Sequence, residues 1–532
     1  MSGNKVLLVN PWIYDFAAFD MWSRPIGLLY IGGLLRANGY HISLINCLDR
    51  YNPELLKYQN LDKPKNNEHG CGKFYKEIIE KPSVLKDVPR KYGRYGLPIH
   101  LFRKELANVE KPDVILVTSG MTYWYMGVFD AIKEAKSQFP GVPVILGGTY
   151  ATLCYDHAVK NSGADYVVCG EGELKALELI RNLTSLNPPS PLFQTNHCPQ
   201  IFRYCGNKSF PPFKRGIKGD LKGLSTHFKL QNGGCVLKSP LPPFSRGRFR
   251  LSIHNGLQTC GQRLVFQRGN LSIDDYPYPV YDLLTNKESL AILTSRGCPM
   301  GCTYCASSLV AGEFRQRDPI KVVDEIEYYH KTFGTKNFAF YDDALLLNSD
   351  EHISVILKEV IRRNLDCYFH TPNAMHANHI TKSLAQLMFK SGFKTIRISL
   401  ETSNVSRQRE IGNKVSTEGF QEAVINLKEA GYKGKDIGVY VLICLPGQPL
   451  DEMIQSVRYV YECGAVTKLA VYSPIPNTDE WKKAVEQYGL DPNADPLLHN
   501  NSICPIRSDG IKIDDIQKVK TLALEYNNKI GI

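Results

Sequence analysis

From residue 5 to 170, and again from 290 to 472, short apolar runs alternate with segments of helical spacing. This alternation constrains the fold more than any other feature. Continuous apolar runs belong in sheets buried on both faces, and parallel neighbours need a crossover helix. In the first stretch the strands are predicted at 5–10, 41–46, 113–118, 142–148 and 165–170. The helices between them are predicted at 27–36, 128–137 and 152–162. In the second stretch the strands are predicted at 290–295, from 337, at 366–370, 395–401, 438–443 and 468–472. The helices there are predicted at 320–332, 351–363, 381–391, 418–430 and 450–462. Six strand–helix units fall short of the eight of a closed barrel. The expected fold is therefore α/β: a Rossmann-like parallel-sheet domain (1–184), a partial six-unit barrel (276–486) and a C-terminal extension (487–532) ending in a helix at 514–528.

Residues 185–275 break the pattern. They are rich in Pro and Gly, and P-P-F-x-R-G occurs twice, from Pro211 and from Pro242. The formal charge of the chain is +11, but residues 201–273 carry 13 Lys and Arg against one acid, Asp220. The rest of the chain is close to neutral, whereas a nucleic-acid groove would spread its cations over the fold. Nucleic-acid binding is accordingly not expected of the main domains. The segment reads as an insertion dispensable for catalysis, with a basic docking arm as the alternative. A second insertion, residues 49–112, should lie at a strand's carboxyl end, where such folds place ligands. No run approaches the ~18 uncharged apolar residues of a membrane span, and no secretory signal is expected, so a cytoplasmic location is. Most of the 15 cysteines, Cys504 among them, read as inert thiols.

One cysteine group differs. Arg296-Gly-Cys298-Pro-Met-Gly-Cys302-Thr-Tyr-Cys305 is C-x3-C-x2-C directly after a predicted strand. Three thiolates within eight residues suit one soft metal centre. Three ligands on a 4Fe–4S cluster would leave one iron open to a small molecule. The alternatives are zinc, which ordinarily wants a fourth protein ligand, and free thiols.

On these residues, with Tyr304 before the third cysteine and six strand–helix units, residues 282–486 resemble the radical S-adenosylmethionine (SAM) superfamily. The resemblance implies that Cys298, Cys302 and Cys305 hold a 4Fe–4S cluster, with SAM on the open iron and Tyr304 against its adenine. Asp342 and Asp343, after the second strand, stand where the family meets the methionine amino group. The family's Gly-Gly-Glu is missing there, and adjacent loop acids serve equally as caps. Ser399 and Glu401 end the fourth strand, where ribose or the methionine moiety is met. The alternative for Glu401 is a salt bridge with Arg397 or Lys394. His370 and the Leu445-Pro-Gly447 turn end the third and fifth strands, and plain structural roles account for both.

The first domain resembles the cobalamin-binding domains that precede many such cores. The supporting residues are Arg24-Pro-Ile-Gly-Leu-Leu-Tyr30, Gly147 and Gly148, and Gly170-Glu-Gly-Glu173, which includes Glu171. Ser119 and Thr122 would bond the cofactor's tail. The Asp-x-His-x-x-Gly motif for a lower histidine ligand is absent, which leaves Trp12, Tyr14 or a water for that face. Together the resemblances imply a radical SAM enzyme that uses cobalamin to methylate an unactivated carbon of a small-molecule or natural-product-like substrate. A flavodoxin or ferredoxin would be its reductant. Rearrangement or cyclisation without methyl transfer, or tRNA modification, are the alternatives.

Overall fold

The computed structural model describes residues 4–184, 272–504, 506 and 511–531. The doubled P-P-F-x-R-G motif and its basic surroundings lie outside these residues.

The first domain is built on five parallel strands: β1 (Lys5–Asn10), β2 (His41–Asn46), β3 (Val114–Val117), β4 (Val144–Leu146) and β5 (Tyr166–Val167). Their order is β5-β4-β3-β1-β2. The strand order reverses between β1 and β3, and in such doubly wound sheets ligands sit beyond the carboxyl ends at that reversal. Val6 and Leu8 pack to one side and Leu7 and Val9 to the other, so the sheet is buried on both faces. Its helices are α1 (Ile26–Ala37), α2 (Tyr125–Gln138) and α3 (Glu173–Thr184). The helix predicted at 152–162 is two pieces, Thr149–Leu153 and Tyr155–Asn161. Cys154, at φ −119° and ψ 45°, is not helical and separates them. The 49–112 insertion is more ordered than its composition suggests. It contains a helix, Ile99–Asn108, and its short strand Gly93–Tyr95 pairs with Ile13–Asp15.

The second domain is a parallel seven-stranded sheet, six of whose strands run in sequential order: β6 (Ser289–Ile292), β7 (Asn337–Phe340), β8 (Tyr368–His370), β9 (Phe393–Glu401), β10 (Ile437–Ile443) and β11 (Val466–Val471), while the short strand Met375–His376 also pairs with β9. It is the open, partial barrel expected from the strand count. Phe338, Phe340, Ile396, Ile398, Val439 and Val441 are fully buried against the outer helices. The strand predicted at 290–295 stops at Ile292. Ser295–Arg296 leaves the sheet and pairs antiparallel with Arg315–Gln316. That two-residue ladder closes the base of the cysteine loop.

The C-terminal extension does two separate things. Its final helix, Ile513–Gly531, covers the barrel's outer edge strand. Asn527 accepts from the Thr467 N–H (2.8 Å) and donates to the Thr467 carbonyl (2.9 Å). An edge strand otherwise presents unpaired backbone groups of this kind. The preceding segment returns to the first domain. Tyr125 donates to Asp495, Asn500 donates to Asp15 (3.0 Å), and Leu497 is buried in the first domain's core. Among the described residues, no helix is long and apolar enough to cross a membrane.

Candidate active site

The cysteine loop is fixed from several sides. At its start, Asp342 at the end of β7 is fully buried. It accepts from the Thr294 N–H, from Thr294 Oγ1 (2.7 Å) and from Ser295 Oγ (2.6 Å). Burial nevertheless pushes its pKa up to about 6. Gly297 then turns with φ +76°, and a Cβ there would stand 2.8 Å from the Gly312 carbonyl. At the far end, the Thr303 N–H donates to the Ile411 carbonyl and Thr303 Oγ1 donates to Glu480 (3.0 Å). Gly412, at φ +121°, lets residues 411–414 lie against the loop, because a Cβ there would be 2.8 Å from Cys302 Cα.

On this scaffold Cys298 and Cys302 are half-buried and Cys305 is exposed. Burial raises the pKa of Cys298 and pushes that of Cys302 up to about 11, with the Lys414 ammonium opposing both shifts. A coordinating metal deprotonates such thiols outright. No three His, Cys, Asp or Glu side chains among the described residues crowd around a point fit for a single ion. A cubane cluster spreads its ligands over separate irons, so its sulfurs stand farther apart than the ligands of one ion. The donor set, three thiols in one loop, fits such a cluster with one iron left open.

Beside the loop, Glu401 ends β9 with φ +65°, unusual for a residue bearing a side chain, and pairs with Lys414 at 2.5 Å. The partner is neither Arg397 nor Lys394, because the turn at Gly412 and Asn413 carries Lys414 back over the strand end. The Lys414 Nζ also lies 5.6 Å from the centre of the Tyr304 ring. Tyr304 packs with Ile411, Leu442 and Leu445. Its hydroxyl is buried with no hydrogen-bond partner among the described residues. Burial and the Glu401 charge push the Tyr304 pKa well up.

Other predicted residues are already engaged. The Asp342 oxygens face Thr294 and Ser295, so Asp342 positions the loop, and Asp343 is the half-buried acid nearer Cys298. Ser399 is fully buried, with Met375 on the neighbouring short strand as its acceptor (3.5 Å). His370 has both ring nitrogens paired, with Thr395 Oγ1 and Asn337 Oδ1 at 3.0 Å each, and stacks on Trp22. It is a structural, neutral histidine, held near pKa 3 by burial.

In the first domain, Ser119 Oγ donates to the Gly147 carbonyl (2.6 Å), and Gly148, at φ +98°, packs against Ser119. Thr122 Oγ1 is bonded to His499 Nδ1 at 3.1 Å. Both hydroxyls therefore build the wall of the crevice instead of reaching into it, since a buried hydroxyl takes the nearest partner. Trp12 and Tyr14 do not cover an open face. Both are core residues, with Trp12 donating to the Leu97 carbonyl and Tyr14 to Asp130. Gly27 and Gly147 leave space where a Cβ would be: nothing lies within 4 Å of the first, and a single carbonyl lies 3.8 Å from the second. A bulky planar ligand such as a corrin fits a crevice edge of exposed backbone. Gly170 turns with φ +66°, but the acid after it is taken. Glu171 pairs with Arg296 and Arg315, and Glu173 with Arg296 at 2.6 Å. Arg296 stands two residues before Cys298, so this ion cluster ties the first domain to the cysteine loop.

Sequence reasoning missed Lys414, Arg296 and His499. The Gly412-Asn413 turn was the available signal for the first. The other two depend on contacts between segments far apart in the chain.

Residues 292–460 match the model of the radical SAM superfamily, and residues 104–180 match that of the B12 binding domain. An uncharacterised methyltransferase of Pyrococcus horikoshii is 24% identical over 403 residues, which are 73% of this chain and 74% of that protein. The cytidylyl-2-hydroxyethylphosphonate methyltransferase of Streptomyces wedmorensis is 21% identical, over 92% of this chain and 83% of that one. Among solved structures, the radical SAM methyltransferase TsrM of Kitasatospora setae, with cobalamin and a 4Fe–4S cluster bound, shares the fold. Its TM-score is 0.56 and its identity 15%, over 91% of this chain and 78% of that one. The three-thiol loop at the mouth of the barrel and these matches agree: residues 292–460 form a radical SAM domain, and residues 104–180 a B12-binding domain ahead of it.

Proposed function

We propose that this protein cleaves SAM reductively at a 4Fe–4S cluster and, with cobalamin, methylates an unactivated carbon of a small-molecule substrate. One observation carries the reading. The loop of Cys298, Cys302 and Cys305 lies beside Glu401, Lys414 and Tyr304, and is bound through Arg296 to a B12-type domain. Relatives named as methyltransferases support it.

When bound, the cluster supplies the electron that cleaves SAM to a 5′-deoxyadenosyl radical, and cobalamin supplies the methyl group. The chain's own residues do the rest. The three cysteines hold the cluster and leave one iron without a protein ligand. Tyr304, with Leu442 and Leu445, offers an apolar wall and an unpartnered hydroxyl to an adenine ring. Glu401, paired with Lys414, can accept from ribose hydroxyls or an ammonium. The Arg296 cluster keeps the two domains in register, so that one substrate would meet the groups held by both. A flavodoxin or ferredoxin reductant and a cytoplasmic location belong to the same proposal.

A second reading, radical ring formation without methyl transfer, is favoured by relatives named anaerobic magnesium-protoporphyrin IX monomethyl ester cyclase. The one from Synechocystis is 27% identical over 60% of this chain. The test is product analysis of the reduced, cluster- and cobalamin-loaded protein with SAM. 5′-Deoxyadenosine together with S-adenosylhomocysteine supports methylation, and 5′-deoxyadenosine alone supports the second reading. Neither product, with candidate substrates present, contradicts both.

A further inference from the structure

The barrel strands alternate strictly near their middles. Ile396, Ile398, Val439 and Val441 face the outer helices and exclude solvent completely, whereas Arg397, Tyr440 and Lys468 face the other way and keep solvent contact. This side of the barrel lumen is therefore open to solvent and two of the groups lining it are cations, whereas Ala339 and His370 on the earlier strands are covered by Trp22. In the sheet register, Arg397 lies opposite Gly438 and Tyr440 lies opposite Lys468.

Gly438 explains where the guanidinium goes. A Cβ on Gly438 would stand 2.6 Å from Arg397 Nη1 and 2.9 Å from Cδ. The Arg397 side chain thus lies across β10, over the one position without a side chain, in the direction of β11 and Lys468. The two cations feel each other: burial lowers the Lys468 pKa, and the positive charge of Arg397 lowers it further. Burial lowers that of Arg397 as well.

Neither cation forms an ion pair among the described residues. Among the described residues, the guanidinium's one hydrogen bond goes to the carbonyl of its own neighbour, Ile396 (3.0 Å). Other buried arginines of this protein are matched with carboxylates: Arg317 with Glu325 (2.6 Å), Arg296 with Glu173 (2.6 Å) and Arg407 with Glu452 (2.8 Å). A half-buried guanidinium without a counter-ion is unfavourable by itself, the exposed Lys468 sets a second positive charge beside it, and a planar guanidinium fork matches the geometry of an oxyanion.

We infer that Arg397 and Lys468 form a binding site in the barrel lumen for an oxyanion carried by the substrate, a carboxylate, phosphonate or phosphate. This rests on the reading of the lumen as the substrate chamber of a radical SAM enzyme, and it adds the chemical class of the substrate. Tyr440, whose hydroxyl donates to the Pro372 carbonyl (3.1 Å), is a wall of this site and not a donor to it.

The test is titration calorimetry of the cluster-loaded full chain with inorganic phosphate and, separately, acetate, at constant ionic strength. Saturable binding is expected, and the preferred anion separates phosphoryl or phosphonyl from carboxylate recognition. Arg397→Gln and Lys468→Gln should each weaken it about tenfold or more, the loss of one charge-assisted contact. Gly438→Ala, which displaces the guanidinium but removes no charge, should weaken it less. Iron and sulfide contents serve as the check that each variant is folded. No saturable binding of either anion, or equal affinity in all variants, overturns the inference. Iron and SAM cleavage in the wild-type preparation are read separately. A loaded, SAM-cleaving protein that ignores both anions contradicts this site alone, and a protein that binds anion but holds no cluster contradicts the proposed function.

Discussion

Two parallel sheets in one chain treat their carboxyl ends differently. At the ends of the five-stranded sheet, side chains answer one another: Ser119 bonds Gly147, Thr122 bonds His499, and Asp15 accepts from Trp124 and Asn500. What remains open there is backbone, at Gly27 and Gly147, and one ring nitrogen, His499 Nε2, which has no partner among the described residues. Around the barrel, by contrast, Tyr304 Oη and His376 Nδ1 are buried without partners among the described residues, and three thiols share one loop. A ligand of the first domain meets shape, main chain and few polar side-chain atoms. A ligand of the barrel meets reactive and charged side chains. The difference suits a domain that cradles a large cofactor and a barrel that performs chemistry on small ones.

The contrast breaks most completely at the cysteines. Replacing Cys298, Cys302 and Cys305 together by Ala should abolish iron binding and SAM cleavage, read by iron and sulfide analysis and 5′-deoxyadenosine formation. Thermal unfolding of the first domain should be unaffected. Next in size are the two buried ion pairs. Arg296→Ala strands Glu173, and Lys414→Met strands Glu401. Each should cost about 3–5 kcal/mol in urea unfolding, the usual effect of leaving a buried charge alone. Only the Arg296 variant should also separate the unfolding of the two domains, because Lys414 lies wholly within the barrel.

A smaller effect appears with pH. Burial holds His499 near pKa 4, below its ordinary 6.5. Native His499 is therefore neutral, and the stability that depends on it is fully present above pH 6.5. It is lost as pH falls toward 4, by about 3 kcal/mol for this one group. His499→Gln should flatten that slope, and hydrogen exchange should show the segment near residue 499 protected in the wild type at pH 7 and opening first on acidification. Smallest is Arg36→Ala. Its pair with Asp282 (2.8 Å) also joins the two domains but is solvent-exposed, so less than about 1 kcal/mol should be lost. An effect equal to that of Arg296 would show that burial does not set the strength of this interface.

The repeating architecture was legible because its signals are local. Lys5–Asn10, His41–Asn46 and Leu450–Glu462 fall where periodicity places them. The cysteine loop was legible from spacing alone. The partners of its neighbours were not. Lys414 reaches Glu401 through a turn whose residues, Gly412 and Asn413, both have positive φ, and no period announces that return. Glu171 looked available beside flexible glycines but is held by Arg296 and Arg315 across a domain boundary. Trp12 and Tyr14 follow the first strand in sequence, yet the 49–112 insertion folds over them and makes them core. In each case the missing information was a long-range contact, which sequence pattern does not encode.

The central claim is that one chain joins an iron–sulfur barrel to a cobalamin-holding sheet. The most direct measurement is iron, sulfide and cobalt per chain in protein purified without oxygen from cells supplied with cobalamin. The account predicts about four irons with matching sulfide and about one cobalt. Iron without cobalt would contradict the role given to the first domain, and cobalt without iron would contradict that given to Cys298, Cys302 and Cys305.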